Sequence, residues 1–443
     1  MPTDYLDFEL CIEREGQQYR ATVVRSPAGE ASYTFSHPFS DLELENFVLR
    51  MGATGRGQRR IDSPEMQLAR QFGGRLYEAV FRGDVRASFV SSQHEAGRQG
   101  RGLRLKLRLE APELINVPWE YLYDNALGRF LSLFEDTPVV RYAEMRGRVV
   151  PLSVKPPLSV LVMISSPQDY PALDVEREQA NVEAALGELA GAGLLTMTRV
   201  EEATLPALAE VLLRGQYHVF HYIGHAGFDE RSQDGVLVLE DGAGRSRLAS
   251  GERLAVLLGN HPAMRLALLN ACEGARTSSD DPFAGTATTL VRTGGVPAVI
   301  AMQFPITDEA AVTFARGFYT ALSVGRPVDA AVTQARLAVF AQGSDVAWGT
   351  PVLYMRAPDG HIFDVEPLAA EEQVARQQAA ATAPREGAPA PEPAGAPERA
   401  AEALQEEAAS QEGEAAPPPA RPPRPTTLPE EIPPRGKPTD LPI

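Results

Sequence analysis

Leu266-Ala-Leu-Leu-Asn-Ala-Cys-Glu-Gly274 is a short apolar run that stops abruptly at a small polar turn carrying a cysteine. An uninterrupted apolar run of this length suits a strand buried on both faces of a parallel sheet. Its C-terminal end is where an open α/β sheet places ligand chemistry. Tyr217-His-Val-Phe-His-Tyr-Ile223 has the same shape and ends in Gly224-His225-Ala226-Gly227. If the two strands are parallel neighbours, His225 and Cys272 emerge at one sheet edge. A thiol beside an imidazole is the minimum for a cysteine nucleophile.

The surrounding grammar supports that sheet. From residue 158 onward, strands at 159–164, 194–200, 217–223, 266–270, 298–302 and 352–355 alternate with helices at 175–189, 205–213, 250–258, through Arg292, 307–323 and 328–340. Such alternation is the signature of a doubly wound, mainly parallel six-stranded sheet. A hairpin arm over 235–239, turning at Asp241-Gly242, is expected between the two key strands. Residues 1–150 read as a separate α+β module. It opens with a hairpin around Glu15-Gly16, continues with helices at 42–51 and, behind Ser63-Pro64, at 66–81, and includes the alternating strand Leu103-Arg-Leu-Lys-Leu-Arg-Leu109, whose basic face is expected in solvent. Residues 151–366 form the α/β domain. From 367 to 443 the chain is rich in Pro, Ala, Glu and Gln, which cannot build a core, so a disordered tail is expected.

Composition narrows the function classes. A formal charge of −17 disfavours nonspecific binding to nucleic acid or anionic membranes, each of which needs a basic face. The N-terminus has no apolar leader and no stretch is long enough to span a bilayer, so a cytoplasmic protein is expected. Two cysteines, Cys11 and Cys272, exclude a disulfide framework, and scattered histidines leave no metal-ligand spacing. No cofactor motif appears. Cys11, inside a strand, is expected to be a buried small hydrophobe.

Of the seven histidines, only His225 combines a strand end with flanking glycines. Gly224, Gly227 and Gly274 give the backbone freedom to turn N–H groups toward a developing oxyanion. From these residues alone, a catalytic dyad and two unrelated loop residues are equally open. The motifs add more. His-Tyr-Ile-Gly-His-Ala-Gly-Phe, with its second histidine 47 residues before the cysteine of Leu-Leu-Asn-Ala-Cys-Glu-Gly, resembles the histidine and cysteine boxes of caspase-like peptidases. The latter box, the run Gly-Gly-Val-Pro-Ala-Val-Ile-Ala-Met-Gln-Phe-Pro-Ile-Thr-Asp-Glu-Ala from Gly294 to Ala310, and Gly325-Arg-Pro-Val-Asp-Ala-Ala-Val resemble bacterial CHAT-domain proteins, relatives of separase in peptidase clan CD.

That resemblance implies Cys272 as nucleophile, His225 as general base and then acid, and an oxyanion hole from the N–H groups of Ala226, Gly227 and Cys272. Ala226 stands where the family usually has glycine. The resemblance also implies a basic P1 side chain facing Asp308 of Thr307-Asp308, although Thr307 as a helix cap with Asp308 on the dipole explains the pair equally. Asp169 and Asp174, in the loop after the first α/β strand, are further S1 candidates. Arg276 is a candidate self-cleavage point. The expected function is a partner-activated cysteine endopeptidase of a bacterial signalling or defence system, acting on a protein or peptide. A CHAT-fold scaffold that works by protein contact is the alternative.

Overall fold

The N-terminal alternation folds into strand β1 (Tyr5–Glu15) and β2 (Gln18–Arg25), paired antiparallel through a turn in which Gly16 takes φ of 64°, with β3 (Ala31–Phe35) added outside β2. A computed structural model describes residues 4–52, 63–145, 147–229, 234–270, 283–343 and 346–367. These all belong to one compact unit, Met1–Ala383; a second unit, Pro384–Ile443, and the expected tail disorder lie outside the described residues. Helices α1 (Asp41–Gly52), α2 (Pro64–Val80) and α3 (Gly83–Arg98) come next, with Ser63 capping α2 by accepting from the Met66 N–H. The sequence reading misses α3 because its inward stripe includes Ser88 and Ser92 and is only weakly apolar.

The remaining elements in chain order are β4 (Gly102–Leu109), the small pair β5 (Tyr123–Asp124) and β6 (Arg129–Phe130), β7 (Val139–Tyr142), β8 (Leu152–Val154), β9 (Leu158–Ile164), α4 (Val175–Gly191), β10 (Leu195–Arg199), α5 (Leu205–Arg214), β11 (Val219–Ile223), β12 (His225–Asp229), β13 (Asp234–Glu240), β14 (Ser246–Ser250), α6 (Gly251–Gly259), β15 (Leu266–Asn270), α7 (Ala284–Arg292), β16 (Ala298–Met302), α8 (Asp308–Ser323), α9 (Val328–Ala341), β17 (Pro351–Met355) and β18 (Phe363–Val365). The six expected sheet strands occur, in the order β10-β9-β11-β15-β16-β17, and all but β17 run parallel. Strands β12, β13 and β14 form the expected arm as a separate antiparallel sheet.

The sheet does not stop at six strands. It runs on through β7-β4-β1-β2-β3 to make eleven, so the segments 1–150 and 151–366 contribute strands to one sheet, meeting where β17 pairs parallel with β7. Period-2 alternation divides the interior into two cores. Val160, Val162 and Ile164 of β9 pack on the side of α4, α8 and α9, whereas Leu161 and Met163 face α5, α6 and α7. Every residue of β11, β15, β16 and β17 is buried, so these runs are apolar apart from His221 and the terminal Asn270.

The basic face of β4 is not in solvent. Arg104 is 3% and Lys106 1% exposed. Asp7 of β1 bridges the two cations, at 3.0 and 2.8 Å, and Asp329 of α9 accepts from the Arg104 Nε at 2.5 Å. Alternation shows only that two faces differ; carboxylates distant in sequence decide that the charged one can be buried.

Candidate active site

The site is built where β9, β11 and β15 end together. In the parallel ladder Ile223 lies opposite Asn270, the Gly224 N–H donates to the Asn270 carbonyl at 3.2 Å, and the Ser165 N–H donates to the Ile223 carbonyl at 2.9 Å. His225 is the second residue beyond the end of β11, and Cys272 the second beyond the end of β15. Cys272 itself, with Gly274, Arg276 and the turn around them, lies outside the described residues.

At Gly224 the chain leaves the sheet and enters β12. This position demands glycine through close approach rather than backbone sign, because a Cβ here would lie 2.4 Å from the Tyr222 Oη and 3.1 Å from the Ser165 carbonyl. That hydroxyl donates toward the carbonyls of His225 and Val238, at 2.8 and 2.9 Å, and Ser165 Oγ also donates to Val238. The β9–α4 loop is then stitched to the arm. Ser166 N–H meets Glu240, Gln168 N–H meets the Gly244 carbonyl, and Asp169 accepts from both the N–H and hydroxyl of Ser246. Those two bonds hold the Asp169 carboxyl below its usual pKa.

His225 is fully buried, with the Tyr170 ring edge-on at 5.4 Å. Neither ring nitrogen has a hydrogen-bond partner among the described residues. Burial lowers its pKa, so the imidazole is neutral at pH 7 and one nitrogen can take a proton. Two other histidines are occupied: half-buried His218 accepts at Nδ1 from the Ser159 N–H, and buried His261 accepts at Nε2 from the Tyr217 N–H. Ala226 and Gly227 sit within β12, opposite Leu237 and Val236.

The carboxylate candidates separate. Asp174 caps α4, accepting from the Arg177 N–H at 3.0 Å, while Asp308, at the first position of α8 behind the Thr307 cap, pairs with the exposed Arg177 guanidinium. Two helix N-termini therefore share one arginine, and Asp169, in the β9–α4 loop, stands apart, bound to Ser246 of β14. The sequence reading omits a third group. Glu178, His221 and Asn270, each under a tenth exposed, line a small cavity of about 20 Å³ beneath the end of β15. Glu178 is one helical turn from Asp174, the only signal sequence holds for it. Cys11 is half-buried in β1 rather than fully buried.

The model of the CHAT domain family matches residues 70–388, well over half of the chain. The chain belongs to the CHAT domain family. Among solved structures, this CHAT chain is similar to the Saccharomyces cerevisiae separase–securin complex (12% identity, TM-score 0.44, covering 80% of this chain and 30% of that one). It is also similar to the Arg-specific cysteine proteinase gingipain R, RgpB (12%, 0.36, covering 72% and 74%), and to the complex of Porphyromonas gingivalis RgpB pro- and mature domains (11%, 0.37, covering 73% and 77%). The CHAT chain thus spans less than a third of the separase chain it matches. No curated protein matches it in sequence. The fold is mixed α/β, built around a large, mostly parallel sheet. Among the described residues no helix is long and apolar enough to cross a membrane.

Proposed function

We propose that this CHAT chain is a cysteine endopeptidase in which Cys272 is the nucleophile and His225 its base. The observation that carries the reading is the in-register pairing of Ile223 with Asn270, which brings together the strand ends two residues before each partner, beside a buried imidazole whose nitrogens have no hydrogen-bond partner among the described residues. His225, neutral because it is buried, takes the thiol proton, and the thiolate sulfur bonds to the substrate carbonyl carbon. N–H groups of Ala226, Gly227 and Cys272 receive the oxyanion. The imidazolium returns its proton to the leaving amine, and a water activated by the same ring then cleaves the thioester.

The P1 residue in this reading is Arg or Lys. Its cation exchanges with the Arg177 guanidinium on Asp308, since that exposed pair contributes little to stability. Asp174 and Asp169, both committed to backbone N–H groups, are left with no part in binding P1 in this reading. The total enclosure of His225 supports activation by a protein partner that displaces the Tyr170 loop; the setting in this reading is bacterial signalling or defence in the cytoplasm. The same enclosure favours a second reading, a CHAT scaffold that acts by protein contact and never opens.

A thiol-reactive peptide with P1 Arg separates them. Labelling of Cys272, read by intact mass and peptide mapping, should vanish in Cys272→Ala and fall by about 10²–10⁴ in His225→Ala. Asp308→Asn should lower labelling by about 10- to 1,000-fold for P1 Arg only. Equal labelling of Cys11, or none at Cys272 under any condition, overturns the endopeptidase reading.

A further inference from the structure

The opposite pole of the sheet carries a second feature that the dyad does not use. An open cleft of about 320 Å³ lies where β15 and β16 begin and β17 ends, and Arg148, Arg265 and Arg356 all line it. Among the described residues no acidic side chain lines it, and none of the three arginines has an ion-pair partner. In a chain of net charge −17 an uncompensated arginine trio stands out. Two of the three guanidiniums are partly buried.

The cleft is shaped around those groups. Gly295, at φ of +68°, brings backbone so close to Arg356 that a Cβ there would sit 3.0 Å from its Nη1, and the Arg356 Nε is buried with no hydrogen-bond partner. Arg265 places only its Nη1 on protein, against the carbonyls of Pro262 and Met264, and burial lowers its pKa. The local compensation falls short. Helices α6 and α7 end at the rim, and each C-terminus carries about half a negative charge, so about −1 faces three guanidiniums. Gly294-Gly295-Val296-Pro297, singled out in the sequence and unused by the dyad, forms one wall.

We propose that this cleft binds a small phosphoryl ligand, a pyrophosphate or the phosphate chain of a nucleotide. Fork-shaped guanidiniums converging from separate segments match the several oxygens of a compact polyanion. A cleft of this volume fits a small molecule. A long acidic peptide fits less well, because the field of the whole chain repels an extended anion while a compact one meets mainly the local charge. The site stands independently of Cys272 and His225, at the other ends of their strands.

The test is calorimetric titration of the full-length chain with sodium pyrophosphate, ATP, adenosine and a Glu-rich peptide at low salt. Pyrophosphate and ATP should bind, adenosine should not, and added salt should weaken both. Arg265→Gln and Arg356→Gln should each lower affinity about 10- to 100-fold, the worth of one charge-assisted contact. Arg148→Gln, at an exposed position, should lose about tenfold without touching the fold. Thermal melting of each variant without ligand shows that it is folded. Absence of pyrophosphate binding at millimolar concentration, affinity unchanged in all three variants, or binding of the Glu-rich peptide alone would each overturn the proposal.

Discussion

His221 and His225 are four residues apart, and burial acts on both in the same direction. His221, facing the α8 side of the sheet, has its pKa pushed down to about 4 by burial alone, with the Tyr319 hydroxyl 3.4 Å from its Nδ1. A histidine whose folded pKa lies below its unfolded value of about 6.5 binds its proton more readily in the unfolded chain. Its contribution to stability is therefore complete above pH 6.5 and is lost as pH falls toward and through 4. By pH 5 this one group removes roughly 2 kcal/mol, from about 1.5 pH units at 1.36 kcal/mol each. Denaturant titrations at pH 7.5 and 5 should show a difference that shrinks by that amount in His221→Phe; an unchanged difference would mean that His221 charges freely in the native state. Sequence places His221 on a buried face and His225 at a strand end, both from position alone. What it cannot give is that His218 and His261 spend a nitrogen on backbone N–H groups from other strands and loops whereas His225 finds no such partner among the described residues, because those contacts span 44 to 59 residues.

At the scale of elements, the strands around the site were legible because a strand buried on both faces needs a mainly apolar run, and β9, β11, β15 and β16 each have one, with Ser159, His221 and the terminal Asn270 as the polar exceptions. The reason for Gly224 was not. Sequence suggests conformational freedom for both Gly224 and Gly227, but the structure distinguishes them by space. A Cβ at Gly227 would meet only the Val236 Cγ2, at an ordinary 3.8 Å, whereas one at Gly224 would collide with Tyr222 and Ser165. Gly224→Ala should cost about 1–3 kcal/mol, the usual penalty for overpacking, and pull His225 off the end of β11. Gly227→Ala should stay within about 0.5 kcal/mol of the parent. Chemical denaturation of the two variants decides the matter, and equal losses would show that freedom rather than space is what these glycines supply. Carboxylate pairing is the other signal missing from local sequence: the reading of β4 as half in solvent fails because Asp7 and Asp329 are 97 and 225 residues from Arg104.

Over the whole molecule, the change of composition near residue 150 reads as a domain boundary, yet the sheet crosses it. β17, where the α/β half of the large sheet ends, is antiparallel to β16 on one side and parallel to β7 on the other, so removing the N-terminal half bares a fully buried strand edge. Polar contacts cross the same seam. Arg141 of β7 binds Glu120 through Nε and Nη2, at 3.2 and 2.8 Å, and Gln303, just after β16, donates to the same carboxylate at 3.1 Å. Asp329, fully enclosed on α9, has its cation on β4. Cutting the chain at 150 would take Arg104 from Asp329, and removing one partner of a buried pair costs about 3–5 kcal/mol where the other stays enclosed. That alone is comparable with the whole stability of many domains, about 5–15 kcal/mol, before the exposed apolar edge is added. A fragment of residues 151–367 should therefore lack a cooperative unfolding transition and bind hydrophobic dye, while residues 1–367 should unfold cooperatively. A sharp transition in the shorter fragment would mean that β17 tolerates an open edge and that the α/β half folds on its own.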